Sequence, residues 1–599
     1  MVKKAKEEVR NYSVKQKSIY RFLILAAIVV VVNLMADIKY KRFDLTKEKR
    51  YTLSKATHDL VDKLDETVYI QIFLDGEFPA EYKRLQNATR DLMQEYENIS
   101  GGNIEFKFDD VLSDRNEKER NDIRRQLREK GLMVTNPVNT EEGKIMESAI
   151  IPGALVHYKG AEYPLNLLQF RTGRSLDENI NASIEQLEYE IGNALRKCVT
   201  GKEIRIGFTQ GHGELDGIDM ADIGKSLDEF YNASTININL DDTNCTKPFL
   251  SKLQANPENA GAILLKSLMD ELNDYSLLVV AKPRKNFKNE ELLLLDQYVM
   301  NGGKVIWLID PVIAEYDSLL VYNGEITPVA HEQNIGDLLF RYGLRVNYDL
   351  IQDMNCHVIP ILSQTNGQIV VPWLYYPLFT TNNNHPISRN VGNVWGQFVS
   401  SIDTLPNIYQ HRTVLLSSSE FSRVAPMQVP VSLAITQQKI DPKYFTKPFQ
   451  AAAVLAQGRF KSLFANRPLM EKASPFKLKN EVENNSMIVI SDGDLIRNQT
   501  GNERKQIMPL GFDKYASKAM NSYVEFANKN FFLNCVDYLC DSSNIIEVRN
   551  KRIELRLLDK GKVKNEKGKW QTINMVVPIV VLAIFGFINF WIRRRKYAR

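Results

Sequence analysis

Two apolar segments lie near opposite ends of the 599-residue chain, and a long stretch of mixed polarity separates them. The first covers residues 22–36 and the second covers residues 573–592. A helix needs about 20 mainly apolar residues to cross the hydrocarbon core of a membrane. The second segment has that length, and the first approaches it when the helix begins at Ile19. The pattern therefore predicts two transmembrane helices, over residues 19–36 and 573–592, that flank one large globular region.

The charges beside these segments do not decide which side of the membrane holds the globular region. Basic residues close to helix ends favour the cytoplasmic side. Seven precede or open the first segment and six follow it in residues 37–50, while five lie in residues 559–572 and five in residues 593–599. Two spans place both chain ends on one side, but these counts do not choose it. The first segment also has the pattern of a secretory signal peptide, and that alternative stays open.

Residues 48–175 alternate between helical and extended patterns, which predicts a small α/β domain with a thioredoxin-like arrangement. A C-x-x-C motif is missing from the sequence, so redox chemistry is not expected. One long amphipathic helix, Leu176–Lys197, then occupies the linker between domains at residues 176–200. The strands and helices predicted before it are Val68–Leu74, Glu81–Ile99, Ile104–Val111, Asn116–Lys130, Ser148–His157 and Glu162–Leu167.

Residues 201–558 predict a larger α/β domain with a parallel sheet. Apolar strands alternate with helices there, as in sheets that are covered on both faces. Residues about 311–480 depart from this rhythm, because they are rich in Asn, Pro and Ser and contain short β-type runs. We interpret that region as an antiparallel extension or insertion. The elements predicted around it are Ile204–Phe208, Asp219–Tyr231, Ser234–Leu240, Leu277–Ala281, Asn289–Met300, Val305–Ile309, Met427–Leu433, Met487–Ile490, Asn528–Cys540 and Ile553–Leu558.

Composition and motifs exclude several classes of function. The net charge is only +4, and basic stripes with interleaved aromatic residues are missing, so a nucleic-acid partner is not expected. The sequence contains no G-x-x-x-x-G-K-[ST], G-x-S-x-G or H-E-x-x-H motif, which argues against ATP hydrolysis, a serine nucleophile and a zinc site. The five cysteines have no metal-ligand spacing and are expected to be free thiols. No cofactor is predicted.

Polar residues follow several predicted strands, and the strongest such signal is Thr209-Gln210-Gly211-His212-Gly213-Glu214. Lys282, Asp310 and Asp492-Gly493-Asp494 stand at corresponding places after three other strands. Ligands of open α/β sheets bind beyond the carboxyl ends of strands. The candidate ligand-binding residues are therefore His212, Glu214, Asp310 and Asp492. Two alternatives stay open: these residues only cap helices and turns, or the Asp-Gly-Asp run holds a metal as a D-x-D motif does.

The order of these features resembles the auxiliary, substrate-binding-type proteins of the gliding-motility ABC transporter of Bacteroidota, the GldG family. The matching residues are Phe43-Asp44-Leu45-Thr46, Arg50-Tyr51-Thr52-Leu53-Ser54 and the Thr209–Glu214 loop, between two terminal anchors. The resemblance implies a central domain similar to class I glutamine amidotransferases, and related to a module of an intraflagellar transport protein. The amidotransferase nucleophile is missing from this sequence, so the resemblance implies no catalytic residue.

The resemblance also implies a location and partners. It places the protein in the bacterial inner membrane, with cytoplasmic tails at residues 1–18 and 593–599 and the large domain in the periplasm. It implies association with a separate ABC permease and a separate ATPase subunit. A glycan, a peptide or another envelope protein is the expected ligand. The first hypothesis is thus a non-catalytic transporter subunit. The alternatives are a membrane-tethered enzyme acting on envelope carbohydrate through His212, Glu214, Asp310 and Asp492, and a purely structural scaffold.

Overall fold

The computed structural model describes most of the chain in two compact units, residues 1–53 and residues 54–599. The described residues are 19–31, 52–76, 78–113, 115–135, 138–141, 144–147, 149–169, 175–199, 203–331, 333–363, 367–380, 385–389, 391–406, 408–437, 440–467, 474–501, 504–540, 545–550 and 560–597. The predicted element Ile553–Leu558 lies outside them. In the first unit, helix α1 (Ile19–Val31) is short, apolar and exposed. Residues 32–36 of the predicted first span are outside the described part.

The second unit begins with a four-stranded sheet that pairs in the order β2-β1-β5-β6. Strand β1 is parallel to β2 and antiparallel to β5, which is antiparallel to β6. Helices and strands alternate here, which agrees with the α/β character predicted for this part of the chain. These elements are α2 (Lys55–Val61), β1 (Val68–Ile72), α3 (Ala80–Ser100), β2 (Ile104–Phe108), α4 (Glu117–Glu129), β3 (Val138–Glu141), β4 (Lys144–Glu147), β5 (Gly153–Tyr158), β6 (Ala161–Asn166) and α5 (Leu176–Val199).

Helix α5 packs against elements on both sides of it. Glu188 accepts hydrogen bonds from Ser54 N at 2.6 Å and Thr57 Oγ1 at 2.9 Å, which attaches α5 to α2. Arg196, in the last turn of α5, forms a buried ion pair at 3.0 Å with Asp537 near the far end of the chain. The segment predicted as a linker is thus a largely buried helix. It contacts α2 beside the four-stranded sheet and Asp537 beside the larger sheet.

The larger part of the unit is built on a seven-stranded sheet in the order β20-β23-β24-β10-β9-β7-β8. The elements that lead into it and its first four parallel strands are β7 (Arg205–Gln210), α6 (Ala221–Leu227), β8 (Asn232–Asn237), α7 (Thr243–Thr246), α8 (Leu250–Ala255), α9 (Ala260–Asn273), β9 (Leu277–Ala281), α10 (Asn289–Met300) and β10 (Lys304–Leu308). Alternate residues of β10 enter separate cores: Val305 and Trp307 on one face, Ile306 and Leu308 on the other. This burial on both faces explains the continuous apolar runs in the sequence.

Residues 311–480 contain mostly short antiparallel pairs and return to the main sheet at their end. Their elements are β11 (Val312–Ile313), α11 (Tyr316–Val321), β12 (Glu325–Ile326), β13 (Val329–Ala330), α12 (Gly336–Arg341), β14 (Leu344–Val346), β15 (Asp349–Asp353), β16 (Cys356–Ser363), β17 (Gly367–Thr380), β18 (Asn393–Trp395), β19 (Ile402–Thr404), β20 (Gln410–Ser417), β21 (Ser422–Pro426), β22 (Val431–Ser432) and β23 (Ala451–Lys461). Strands β20 and β23 add to the sheet antiparallel, so the predicted antiparallel extension is confirmed.

One strand and one helix predicted around the larger sheet are shorter in the structure than the sequence indicates. The strand predicted over Met427–Leu433 exists only as Val431–Ser432, because Pro426 and Pro430 interrupt the segment and Val429 N donates to Pro426 O in a turn. The helix predicted over Asp219–Tyr231 covers only Ala221–Leu227. The Asp216 side chain accepts from the backbone N–H groups of Ile218 and Asp219, which holds that stretch in a turn.

The chain ends with a strand that completes the sheet and with three helices. These elements are β24 (Glu481–Ile490), β25 (Thr500–Gly501), β26 (Gln506–Ile507), α13 (Lys514–Met520), α14 (Asn528–Cys540) and α15 (Lys560–Tyr597). Strand β24 is parallel to β10 and antiparallel to β23. Within the described residues, Glu566–Arg595 of α15 is the one helix long and apolar enough to cross a membrane. The five cysteines, all within the described residues, form no disulfide with one another, and Cys245 and Cys535 are buried.

Candidate functional site

The order of the parallel strands defines one crevice where ligands of this sheet type bind. Strand β7 lies between β8 and β9, so the chain leaves β7 toward one side and later returns to the other. In open α/β sheets, this reversal places the ligand site at the carboxyl ends of the two strands that flank it. The loops after β7 and β9 carry Gly211-His212-Gly213-Glu214 and Lys282-Pro283. Two of the predicted residues, His212 and Glu214, therefore lie at the expected crevice.

The two loops fill this crevice by bonding to each other. Arg284 N donates to His212 O at 2.7 Å, and Leu215 N donates to Ala281 O at 3.0 Å. Gly211 has a φ of 109°, and a Cβ at this position would lie 2.5 Å from Asn237 Oδ1. Glycine is therefore required at this turn for both conformation and space. The glycines after β7 therefore allow this loop to pack against the loop after β9.

The His212 ring is buried at the centre of this closed crevice, with 1% of the side chain exposed. Its Nε2 lies 3.0 Å from Glu291 Oε2, and the ring stacks on Phe287 with centroids 3.9 Å apart. Glu291 also accepts from Leu240 N at 2.8 Å and Lys288 N at 2.6 Å. Burial alone would raise the pKa of Glu291, but the bonds from His212 and from these backbone groups outweigh it and lower that pKa.

Glu214 lies beside the His212 ring, near the nitrogen that does not face Glu291. Its Oε2 accepts from His212 N at 2.6 Å, while its Oε1 lies 3.8 Å from His212 Nδ1. Neither Oε1 nor Nδ1 has a hydrogen-bond partner among the described residues. His212 therefore stands between two carboxylates, one bonded and one just beyond bonding distance. This arrangement joins the loop after β7 to the start of α10.

We expect His212→Ala to lower the free energy of unfolding by about 2–4 kcal/mol, because it leaves a cavity and removes a partner from buried Glu291. His212→Gln, whose amide can still donate to Glu291, should lose clearly less. Urea unfolding of the full chain, followed by intrinsic fluorescence, measures both. His331→Ala is the matched control, since His331 is an accessible histidine whose Nε2 is bonded to Arg284 O. An unchanged midpoint for His212→Ala would contradict the structural role of the ring.

Asp310 and Asp492 belong to a second cluster, centred on the buried Lys282. Its Nζ lies 2.5 Å from Asp494 Oδ2 and 3.1 Å from Asp310 Oδ2. Asp310 Oδ1 accepts from Gly493 N at 2.5 Å, and Asp492 Oδ2 accepts from Gln397 N at 2.9 Å. One lysine thus stands among carboxylates that follow strands β10 and β24. No group of three His, Cys, Asp or Glu side chains in the described part of the chain is placed to hold a metal ion.

The carboxylates of this cluster differ in the direction of their pKa shifts. Burial, followed by the neighbouring Asp310 and Asp494 charges, raises the pKa of Asp492 well above its usual range. Burial raises the pKa of Asp310 as well, although Lys282 opposes the shift. For Asp494, burial is outweighed by the charge and hydrogen bond of Lys282, and its pKa is lowered. Lys282 and Asp494 therefore form the ionised pair at neutral pH, and Asp492 holds a proton more readily than either neighbour.

Two cavities adjoin this second cluster. A cavity of about 140 Å³ is lined by Lys282, Arg284, Asp310 and His331, among others. A larger one, of about 240 Å³, lies beside Asp494 and Arg497 and reaches the aromatic residues Tyr376 and Trp395 of the inserted region. The second cavity joins the loops after β7 and β24 to the inserted region and to α13. It is the larger opening at the carboxyl edge of the sheet.

The structure thus divides the four predicted residues into two groups. His212 and Glu214 are buried in the closed crevice, while Asp310 and Asp492 lie in the Lys282 cluster. Sequence reasoning missed Glu291, the acidic residue that pairs with His212, although its place in the first turn of a predicted helix is a typical capping signal. It also missed Arg497 and Trp395. No local pattern marks Trp395, which comes to the cavity only through the folding of the insertion.

Comparisons with known proteins give one family match over most of the larger sheet region and a second over the N-terminal region. Residues 203–535, more than half of the chain, match the model of an auxiliary family described as an ABC-type uncharacterized transport system. Residues 47–157 match a domain family of unknown function.

Two individual proteins are similar to the chain. An uncharacterized protein of Borreliella burgdorferi is 18% identical over 590 residues, which cover 97% of this chain and 99% of the relative. Among solved structures, the mmIFT52 N-terminal domain is similar with a TM-score of 0.29 and 12% identity, covering 56% of this chain and 96% of that domain.

Proposed function

The chain belongs to the family of auxiliary proteins of ABC-type transport systems, and we propose that it works as a non-catalytic, membrane-anchored subunit beside a separate permease and a separate ATPase. The observation that carries the proposal is the closed crevice at β7 and β9. The place where α/β enzymes of this sheet type bind their substrates is filled by the buried His212–Glu291 pair and by loop-to-loop hydrogen bonds. Because this crevice is filled, the protein suits a binding or assembly role better than a catalytic one.

The anchoring part of the proposal rests on the two apolar helices. The Glu566–Arg595 segment is 30 residues long and has no buried side chains, as expected for a helix that lipid surrounds. Arg593, Arg594 and Arg595 follow its apolar part. We place α1 in the membrane as a second anchor, with both chain ends in the cytoplasm and residues 54–559 in the periplasm.

We also propose the types of the two domains, the transporter type and the roles of the site residues. The N-terminal sheet has a β-α-β unit followed by two antiparallel strands and a helix, which supports a thioredoxin-like domain over residues 48–175. The central parallel sheet supports a domain similar to glutamine amidotransferases over residues 201–558. We assign the protein to the gliding-motility type of Bacteroidota on the motifs around Thr46 and His212. In this role, Asp310 lines the 140 Å³ cavity, a candidate ligand site, while His212, Glu214 and Asp492 hold loops at the same edge of the sheet.

Purification of the full chain with its partners tests the proposal. A C-terminal tag on the chain is captured from native membranes in a mild detergent, and the bound proteins are identified by mass spectrometry. We expect a multi-span permease and a P-loop ATPase in amounts comparable to the tagged chain. An unrelated two-span protein with the same tag is the control. Recovery of a stable monomer without either partner would contradict the proposal.

Protease treatment of intact spheroplasts tests the orientation separately. With a periplasmic central region, an external protease digests residues 54–559 and leaves the tails protected. Antibodies against a tag at each end and against the central region report the fragments. A cytoplasmic ATPase serves as the control for cell integrity. Complete protection of the central region would reverse the proposed orientation. The identity of the partners would still be decided by the purification.

A structural scaffold is the second candidate function, and the position of α5 favours it. That helix is bonded to α2 through Glu188 and to α14 through Arg196, so it holds the two sheets in one compact unit. An assay of cellular function, run beside the purification on variants of residues that line the 240 Å³ cavity, separates the candidates. A scaffold keeps its partners and its cellular function in those variants, whereas a ligand-binding subunit keeps the partners but loses the function.

A further inference from the structure

The 240 Å³ cavity lies outside the closed crevice and shares Asp494 with the Lys282 cluster, and one part of its wall is aromatic. Tyr376 lies at the centre of that wall, with ring centroids 5.6 Å from Trp395, 5.4 Å from Phe398 and 6.4 Å from Tyr316. The Tyr376 contacts with Trp395 and Phe398 are edge-on, a favoured arrangement of aromatic pairs. Arg497, beyond β24, and Lys514 in α13 also line the cavity.

The charges around the cavity argue against an ionic ligand. Five acidic and two basic residues line it, so an anion would meet an excess of negative charge. The charged groups nearest the sheet are already paired. Arg497 lies 3.4 Å from Asp494 and 3.6 Å from Asp219, and Asp513 lies 2.8 Å from His357 Nε2. A cation would have to compete with these pairs, whereas a neutral ligand can accept and donate hydrogen bonds without disturbing them.

One side chain of the cavity wall carries a buried polar group that the fold leaves without a partner among the described residues. The indole Nε1 of Trp395 is buried and has no hydrogen-bond acceptor among the described residues, and the Trp395 side chain is 4% exposed. A buried donor without an acceptor costs free energy, which a ligand oxygen can recover. The side-chain amide of Gln397 also lines the cavity, and its backbone N–H is bonded to Asp492.

We propose that this cavity binds one uncharged sugar ring of an envelope glycan. An aromatic wall suits the apolar face of a pyranose, and amide, indole and carboxylate groups suit its hydroxyls. A volume of about 240 Å³ is below the roughly 300–1,000 Å³ of sites for drug-sized molecules, so it fits a single ring rather than an oligosaccharide. The inference deepens the proposed function and rests on it for the origin of the glycan.

Titration of the full chain in lipid nanodiscs tests this inference, because nanodiscs avoid detergents that carry sugar head groups. The probes are glucose, galactose, mannose and N-acetylglucosamine, with glucuronate and glucosamine as charged counterparts. Saturation-transfer NMR measures binding. We expect at least one neutral sugar to bind saturably and each charged counterpart to bind at least about tenfold more weakly. Binding of none of the neutral sugars, or preferential binding of glucuronate or glucosamine, would overturn the proposal.

A pair of tryptophan variants identifies the site. Trp395→Phe keeps an aromatic wall but removes the indole N–H, and it should weaken sugar binding about 2–10-fold, the effect of one hydrogen bond. Trp373→Phe is the matched control, because Trp373 is buried in the same aromatic core, also has an unpartnered Nε1, and does not line the cavity. Equal effects of the two changes would exclude this cavity as the site.

A second cavity variant covers the case in which Trp395→Phe does not fold. Gln397→Leu removes the amide side chain but keeps the backbone bond to Asp492, and it should weaken the same sugar. Unchanged affinity in a folded Gln397→Leu protein would also overturn the site. The partner purification separates this inference from the proposed function. Partners without sugar binding reject the sugar site alone, and sugar binding without partners rejects the transporter role alone.

Discussion

Replacing Lys282 with methionine is expected to lower the free energy of unfolding by about 3–5 kcal/mol at neutral pH. The lysine Nζ lies 2.5 Å from Asp494 and 3.1 Å from Asp310, and its side chain is 7% exposed. Removing one partner from a buried ion pair leaves the other charge uncompensated, which costs more than the pair itself contributes. Urea unfolding of the full chain measures the loss. Lys288→Met is the matched control, since Lys288 forms an exposed pair with Asp241 and should leave the midpoint nearly unchanged.

The effect of Lys282→Met should depend on pH. In the native protein, Lys282 lowers the pKa of Asp494 in spite of burial, so this pair stabilises the fold above the unfolded pKa of an aspartate, about 3.9. That stabilisation is lost as the pH falls through the lower pKa of the folded state. Without the lysine, burial raises the pKa of the aspartates. Their protonation in acid then removes the uncompensated negative charge that destabilises the variant. The difference between the two proteins should therefore be largest at pH 7 and shrink below about pH 4.

A double variant distinguishes lost charge compensation from lost packing. Lys282→Met with Asp494→Asn removes the cation together with its closest carboxylate, and it should recover part of the stability lost by Lys282→Met alone. Additive losses for the two changes would mean that the lysine acts mainly through its packing. A difference that stayed the same from pH 7 to pH 4 would lead to the same conclusion.

Asp537→Ala is expected to cost about 3–5 kcal/mol as well, at the other end of the larger sheet. Asp537 Oδ1 lies 3.0 Å from Arg196 Nη2 and accepts from the Tyr231 hydroxyl at 2.6 Å. Both members of the ion pair are almost fully buried, at 3% and 8% exposure. The substitution takes the carboxylate away from a buried guanidinium and frees the end of α5 from α14. Thermal unfolding in nanodiscs measures the loss.

Asp177→Ala is the control for this prediction, because it breaks a pair of α5 that is partly exposed. Arg84 and Asp177 are 2.7 Å apart, with 34% and 36% of their side chains exposed, and such a pair contributes about 0–1 kcal/mol. Limited proteolysis gives a second reading. Asp537→Ala should expose the α5 region to cleavage, while Asp177→Ala should not. Equal stability of the two variants would show that the buried pair does not hold α5 in place.

Elements with both faces buried, or with a strong helical period, could be predicted from the sequence. Strand Leu277–Ala281 and helices Asn289–Met300 and Asn528–Cys540 have the predicted bounds in the structure. An unbroken apolar run fits a strand between two cores, and local periodicity needs no distant partner. The hairpin Cys356–Ser363 with Gly367–Thr380 was not predicted, because it contains Pro360, Pro372 and Pro377, and prolines argue against strands when only the sequence is considered.

Local pattern alone determined which residues of the candidate site follow strands, and it placed His212, Glu214, Asp310 and Asp492 near the carboxyl edge of the sheet. Only the tertiary structure decided their partners. Glu291 reaches His212 across 79 positions of the chain, and Asp494 reaches Lys282 across 212. The aromatic wall beside Asp494 likewise comes from the insertion. Strand and helix formation depends on neighbours in sequence, whereas the pKa of a carboxylate and the shape of a cavity depend on burial and on charges brought together by folding.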